Sequence, residues 1–311
     1  MIKENIIVGK DSKYPLKGIV TLPENRTEPV PAVVFVHGSG SSNMDEKVGK
    51  LTPFKDLAEG LACHGVASIR YDKRSYAHGL KMLKDKSEPV TVKAETIDDA
   101  LLATKILRND ERIDSEKIFI IGHSMGGMLA PRIDAEGGGY RGLILMAGTP
   151  RRLEEVMKEQ MEEALYEMPG FIRKLGVKKS KEFMDKLEGL YDLSDEEAKK
   201  VKVVNGTTLY YFKDMGEPPV SHYLIKSEKP MLIMQGEKDF QVKVEKDFAA
   251  YKEILEDRKN VTFKLYEDLN HAFVPSIYGS ISKAKKEYNV EQHIGENVIK
   301  DIADWIKSIA E

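Results

Sequence analysis

The sequence predicts an α/β protein: a mainly parallel sheet of about eight strands, with helices on both faces and an inserted helical cap. Strand-like and helix-like segments alternate through most of the 311 residues, a pattern typical of parallel sheets covered on both sides. The alternation breaks between about Thr149 and Glu228, where apolar residues recur at helical spacing on a charged background. The expected core is therefore residues 1–148 and 229–311, and residues 149–228 form the expected cap.

The expected strands are short apolar or β-branched runs bounded by turn residues. The first two form an antiparallel pair, and the later ones alternate with helices. The expected strands are residues 2–8, 16–22, 31–36, 66–71, 117–121, 143–147, 230–234 and 261–266.

The first expected helix spans residues 53–64, with Thr52 as N-cap, Pro53 at the first helical position and Gly65 at its end. Inside the cap, the run that starts at Ser194 has the pattern of a capping box. Further core helices are expected at 96–108, directly after residue 124, at 244–255 and around 298–309.

Charge and hydropathy exclude several classes of partner. The formal net charge is −3 with the two signs interspersed, so nothing indicates a nucleic acid or an anionic membrane. No apolar run approaches the roughly 18 residues of a membrane span, and residues 1–10 carry no stretch of signal-peptide length. The sequence is compatible with a monomer or a homodimer.

A single cysteine, Cys63, falls in the first expected helix and is expected to be a small core residue. One cysteine allows neither an internal disulfide nor a cysteine-based metal site, so we expect a cytoplasmic protein. We expect no metal and no cofactor.

The most informative motif is residues 122–126, Gly-His-Ser-Met-Gly, between an apolar strand and a helix. G-x-S-x-G in this context is typical of a nucleophile elbow, a strained turn that needs small residues two positions to each side of the serine. Ser124 is therefore the expected nucleophile. The alternative is a glycine-rich connection that cradles a phosphate.

A serine hydroxyl needs a base, and the base needs an orienting acid. Of the histidines after Ser124, only His271 directly follows an expected strand. His222 falls inside the cap, and His293 lies in a polar run before the last helix. His271 is therefore the expected base.

The expected acid is Asp239, in the loop after the strand at 230–234, because the elbow architecture places the acid between the serine and the histidine. Glu237, closer to the strand end, is the chemical alternative. Asp268 is more simply a turn-forming carboxylate.

The oxyanion of an acyl-transfer reaction needs backbone N–H donors held in place beforehand. One is expected from Met125, the residue after the nucleophile. The second is expected from Ser39 in the glycine-rich turn after the strand at 31–36, with Gly38 or Gly40 as alternatives. His37 is expected to be a structural hydrogen-bonding residue, and His123 to pack beneath the serine.

These motifs resemble the α/β-hydrolase superfamily at four positions in the expected order: residues 37–40, 122–127, 236–239 and 270–273. Segments 14–23 and 70–74 are similar to bacterial esterases grouped near dienelactone hydrolases and prolyl-oligopeptidase-like hydrolases. The layout with a cap is similar to that of cinnamoyl and feruloyl esterases. True dienelactone hydrolases use cysteine where this chain has Ser124, so their reaction does not carry over.

The resemblance implies a serine hydrolase that cleaves small to medium, partly apolar or aromatic carboxylic esters through an acyl-enzyme on Ser124, without a cofactor. Thioesterase and acyl-peptidase activities are the alternatives within the fold, and a non-catalytic binding protein is the alternative from another class. The cap is expected to choose the substrate. Its candidate lining aromatics are Tyr166, Phe171, Tyr191, Tyr210, Tyr211 and Phe212, and Met157, Met161 and Met168 are expected to be core instead.

Overall fold

The computed structural model describes residues 1–85, 87, 89–203 and 206–310, and its centre is one eight-stranded sheet. The strand order is β1-β2-β4-β3-β5-β6-β7-β8. The bounds are β1 Ile2–Val8, β2 Leu16–Leu22, β3 Val30–Val36, β4 Ala67–Tyr71, β5 Ile113–His123, β6 Leu143–Met146, β7 Met231–Gly236 and β8 Val261–Tyr266.

Most of the sheet is parallel. β1 pairs antiparallel with β2, and β2 pairs antiparallel with β4. The other five neighbouring pairs, from β4–β3 to β7–β8, are parallel. The predicted fold class is therefore confirmed. Because parallel strands share an orientation, the loops after β3, β5, β7 and β8 meet at one edge of the sheet.

Helices cover both faces of the sheet. α1 and α12 pack on one face, and α3, α4 and α10 pack on the other. Alternate residues of β3 point into the two apolar layers, with Val34 in one and Phe35 in the other. The bounds are α1 Pro53–Cys63, α2 Arg74–Lys84, α3 Asp98–Arg108, α4 Met125–Ile133, α10 Ala249–Leu255, α11 Ala284–Glu287 and α12 Glu296–Ala310.

Between β6 and β7, the described residues form five α-helices and a short 3₁₀ turn, and no strand. Their apolar side chains join the same layer as α3 and α4, so they pack on the core. Ser194 and Glu197 form the predicted capping box, since each side chain accepts from the other residue's backbone N–H. The bounds are α5 Leu153–Tyr166, α6 Gly170–Leu187, α7 Asp195–Lys200, α8 Leu209–Gly216 and α9 Val220–Lys226.

Thr52 occupies the predicted N-cap position of α1, although its side chain makes no capping bond. Its backbone carbonyl accepts from the N–H of Asp56. The prediction that Cys63 is a core residue is wrong. Cys63 is exposed, because the buried side of the helix passes through Leu57, Ala58, Leu61 and Ala62 and leaves position 63 on the outer side. No helix among the described residues is long and apolar enough to cross a membrane.

Candidate active site

Ser124 stands between the end of β5 and the first residue of α4, with φ 55° and ψ −119°. That backbone conformation is strained for a residue with a side chain. A Cβ on Gly122 would lie 2.1 Å from the carbonyl oxygen of Gly126, and one on Gly126 would lie 2.1 Å from that of Val36. Both positions therefore require glycine, as the nucleophile-elbow interpretation predicts.

His271 and Asp239 come from the loops after β8 and β7. Nδ1 of His271 lies 2.7 Å from Oδ2 of Asp239, and both side chains are buried. An ionised carboxylate only accepts hydrogen bonds, so the proton of this bond is on Nδ1. The other ring nitrogen, Nε2, is then free to accept a proton.

The Asp239 carboxylate receives three further hydrogen bonds. Gln235 donates through Nε2 to Oδ2 at 2.8 Å. The backbone N–H groups of Gln241 and Val242 donate to Oδ1 at 2.7 and 3.0 Å. Four donors hold this carboxylate in one orientation, which is what an orienting acid requires.

The alternative acids and bases lie elsewhere. Glu237 is exposed, and Asp268 is an exposed turn residue with φ 63°. His293 pairs with Asp56 at 3.1 Å on the surface. His222 lies on α9, where its ring contacts Tyr223.

Ser124 and His271 border the same cavity, of about 210 Å³. The two residues reach it from different strand ends, so the fold brings together the nucleophile and base that the sequence predicts. Gln241 and Tyr288 also border this cavity, and Gln241 donates through Nε2 to the Tyr288 hydroxyl at 2.5 Å.

The expected oxyanion donors are in suitable surroundings. Within the described residues, the backbone N–H groups of Ser39 and Met125 donate to no protein acceptor. The N–H of Gly38 is already used, because it donates to Oε1 of Glu46 at 2.7 Å. Both residues border the Ser124 cavity, so the N–H that is not already used favours Ser39 over Gly38.

A buried pair that the sequence did not indicate, Glu46 and His123, lies under the site. Nδ1 of His123 is 2.9 Å from Oε2 of Glu46, an ion-pair distance without hydrogen-bond alignment. Nε2 of His123 donates to the backbone carbonyl of His271 at 2.8 Å. Burial acts to lower the pKa of His123, but the Glu46 charge outweighs it and the pKa is raised. The Glu46–His123 pair therefore joins the Gly38 turn to the His271 loop.

His37 has the structural role expected of it. Its Nε2 donates to the carbonyl of Asn43 at 3.0 Å. Burial lowers the pKa of His37 to about 4, so the ring is neutral near pH 7.

A second cavity, of about 330 Å³, borders Ser39 and Met125 on one side and the helices after β6 on the other. Of the six aromatic candidates, Tyr211 and Phe212 line it. Met157, expected to be core, lines it too. Tyr166 and Phe171 are exposed, while the hydroxyl of Tyr191 donates to Glu154 and Lys199 lies over the ring of Tyr210.

The same cavity contains a charged residue that the sequence reasoning missed, Glu95. It lies near Lys73, the second residue after β4. A charged residue directly after a parallel strand is a signal that could have found Lys73, because strand ends of this kind surround the site. Glu95 follows no strand and carries no such signal.

Comparison with known proteins agrees with this fold. Residues 27–275 match the family model Hydrolase_4, described as serine aminopeptidase, S33. The chain is 36% identical over 293 residues to the esterase EstD of Thermotoga maritima. That match includes 94% of the chain but only 65% of the length of EstD.

Solved structures with low sequence identity share the architecture. Est1E from Butyrivibrio proteoclasticus superposes with a TM-score of 0.60 at 15% identity, covering 98% of both chains. The Pyrococcus furiosus esterase Pf2001 gives the same score and identity, covering 100% of this chain and 92% of its own. Similarity at this identity supports the fold.

Proposed function

Because the chain belongs to the serine aminopeptidase S33 family of α/β-hydrolases, we propose that it is a serine hydrolase that cleaves carboxylic esters. One observation carries the proposal: the Asp239–His271 hydrogen bond at 2.7 Å stands beside a serine on a strained elbow. A binding protein of this fold would not need an oriented base next to such a serine.

The proposed reaction is acyl transfer. Ser124 Oγ attacks the ester carbonyl while His271 Nε2 takes its proton, and Asp239 stabilises the imidazolium. The N–H groups of Ser39 and Met125 hold the tetrahedral oxyanion. As it collapses, His271 returns the proton to the leaving alcohol, and an acyl-enzyme ester remains on Ser124. Water then attacks that ester by the same route and releases the acid.

The proposed substrates are small to medium esters with a partly apolar or aromatic group. The second cavity supports this, since its volume of about 330 Å³ is lined mainly by apolar side chains. EstD and Pf2001 are both named as esterases. The family description is that of an aminopeptidase, so amides are the alternative substrate class, beside thioesters.

We further propose that residues 149–228 act as a cap that selects substrates, because Leu153, Met157 and Phe212 of this segment line the second cavity. A cytoplasmic location is proposed from the single cysteine. The proposed partner is the small-molecule ester, and a homodimer is the alternative to a monomer.

A panel of p-nitrophenyl esters from acetate to long chains, with methyl ferulate, an anilide and a thioester, tests the proposal. We expect ester turnover that falls by several orders of magnitude in Ser124→Ala, given about 10⁶ for the equivalent deletion elsewhere. Ser115→Ala, the same change at an exposed serine on β5, is the matched control. Equal turnover by Ser124→Ala in a clean preparation would contradict the mechanism, and preference for the anilide would favour the peptidase alternative.

A further inference from the structure

The second cavity is mainly apolar, yet a carboxylate faces it. Glu95 is only 6% exposed and borders the cavity together with Met82, Leu83, Val90 and Leu153. Burying a carboxylate is costly unless its oxygens have partners. The hydrogen bonds of Glu95 therefore show which of its oxygens is still free to accept one from a ligand.

One oxygen of Glu95 is satisfied and the other is not. The hydroxyl of Tyr211 donates to Oε2 at 3.0 Å. The ammonium of Lys73 lies 3.9 Å from the same oxygen and donates to the carbonyl of Gly38 at 2.9 Å. Among the described residues, no donor reaches Oε1. The cavity thus presents an unused acceptor oxygen.

Glu95 offers the acceptor that a ligand in this cavity can use. Ser75 on α2 also borders the cavity, but its Oγ is buried beneath the cavity surface. A ligand hydroxyl can donate to the unused oxygen of Glu95.

The charge balance favours a neutral group over a cation. Lys73 lies 3.9 Å from Glu95 and is its counter-charge, so this buried pair has no excess negative charge. An ammonium would be desolvated next to Lys73 without a counter-charge of its own. A hydroxyl needs only a hydrogen-bond acceptor.

We propose that the second cavity binds an apolar group of the ester that ends in a hydroxyl, which donates to Glu95. The inference rests on the proposed function and names its substrate class. The cavity borders Met125 and Ser39, the two proposed oxyanion donors. Either half of the ester can extend into it from there, so the hydroxyl belongs to the acyl half or to the alcohol half.

Two sets of matched substrates distinguish these halves. One compares p-nitrophenyl esters of ω-hydroxy acids with esters in which a methyl group replaces the hydroxyl. The other makes the same replacement in the alcohol of acetate esters. We expect one set to show a kcat/KM at least about 10-fold higher for the hydroxyl compounds, the usual scale for a hydrogen bond to a charged group. Ratios near one in both sets, with normal turnover of the methyl compounds, would overturn the inference.

Site-directed variants test whether Glu95 causes the preference for hydroxyl compounds. Glu95→Gln keeps the size but replaces the charged acceptor by a weaker neutral one, and should reduce the ratio at least about 3-fold. Tyr211→Phe should preserve the ratio, because that change frees a Glu95 oxygen. Glu182→Gln, at an exposed position on α6, is the control. An unchanged ratio in Glu95→Gln would overturn the assignment.

A binding measurement separates this inference from the proposed function. If no ester is cleaved, the proposed function fails. Calorimetry with the free ω-hydroxy acids, the free ω-hydroxy alcohols and their methyl counterparts still decides the inference. Tighter binding of a hydroxyl compound that is lost in Glu95→Gln supports it, and equal binding of all the pairs overturns it.

Discussion

At the residue scale, the histidine–carboxylate pair is the best-determined part of the site. Asp239 receives bonds from His271, from Gln235 and from two backbone N–H groups of its own loop. The backbone donors come from the turn that the residue itself starts. Its orientation is therefore set before any substrate binds, and the tautomer of His271 follows from it.

Replacing Asp239 by Asn should leave the fold intact and lower kcat by about 10⁴-fold, the effect of the equivalent change in a serine protease. An amide can donate to Nδ1, so it favours the tautomer in which Nε2 carries the proton and cannot act as base. Steady-state kinetics with a p-nitrophenyl ester measures this. Glu237→Gln, two residues away and exposed, is the control, and an equal loss in both variants would contradict the role of Asp239.

His37 gives a pH prediction. Its pKa is about 4 in the folded protein, against 6.5 ordinarily. The unfolded chain therefore binds more protons between these values, and the free energy of unfolding falls as the pH drops from 6.5 towards 4.

The expected loss between pH 7 and 4.5 is about 2 kcal/mol for this residue. Urea unfolding of the wild type and of His37→Gln, whose amide can still donate to Asn43, measures it as the difference between the two proteins. The difference should vanish between pH 7 and 9. An equal pH dependence of the two proteins below pH 6.5 would contradict the prediction.

The triad residues could be predicted because each follows an apolar strand and occurs in the order Ser, Asp, His. Glu46 and Glu95 could not be identified in this way. They form their pairs with residues from separate loops, and their burial results from packing. Sequence spacing carries no information about such contacts.

At the scale of single elements, the elbow depends on glycine at two positions. The carbonyl oxygen of Val36 lies 2.1 Å from the position that a Cβ on Gly126 would take. Val36 and Gly126 both belong to backbone that cannot move independently of the sheet. Gly170, at the start of α6, has open space at its Cβ position.

Gly126→Ala should therefore destabilise the protein by about 3 kcal/mol or more, the upper range for an overpacked site. Gly170→Ala should change stability by less than about 1 kcal/mol. Thermal or urea unfolding of the two variants compares them. A Gly126→Ala protein as stable as Gly170→Ala would show that the strand–turn–helix geometry is wrong.

α2 shows where periodicity fails. Only Arg74 and Met82 of its residues are buried, so it lacks the apolar repeat from which the other helices were predicted. Arg74 packs inward as an ion pair with Asp99 of α3. A helix fixed to the core by a charged side chain gives no hydrophobic signal in the sequence.

At the scale of the whole molecule, one carboxylate joins the helices after β6 to the core. Asp214 on α8 accepts from Nη2 of Arg132 on α4 at 2.8 Å and from the backbone N–H of Lys93 at 3.0 Å. Arg132 and Asp214 are both largely buried. The contact joins the helix that follows Ser124 to the segment that lines the second cavity.

Asp214→Ala should loosen α8 without disturbing the elbow, because the Arg132 guanidinium is left with Glu136 as its remaining carboxylate partner. Hydrogen exchange should become faster in α8 while β5 stays protected. Asp195→Ala, at an exposed residue that pairs with Lys213, is the control. Equal exchange in α8 for both variants would mean that this contact does not hold the segment.

The central claim is that Ser124, oriented with His271, is the nucleophile. Labelling the protein with a fluorophosphonate and mapping the modified peptide tests it most directly. We expect one adduct per chain on Ser124, formed at least about 10³-fold more slowly in His271→Gln, because the base is needed to activate the serine. A folded protein that takes up no label, or takes it up on another serine, would contradict the account.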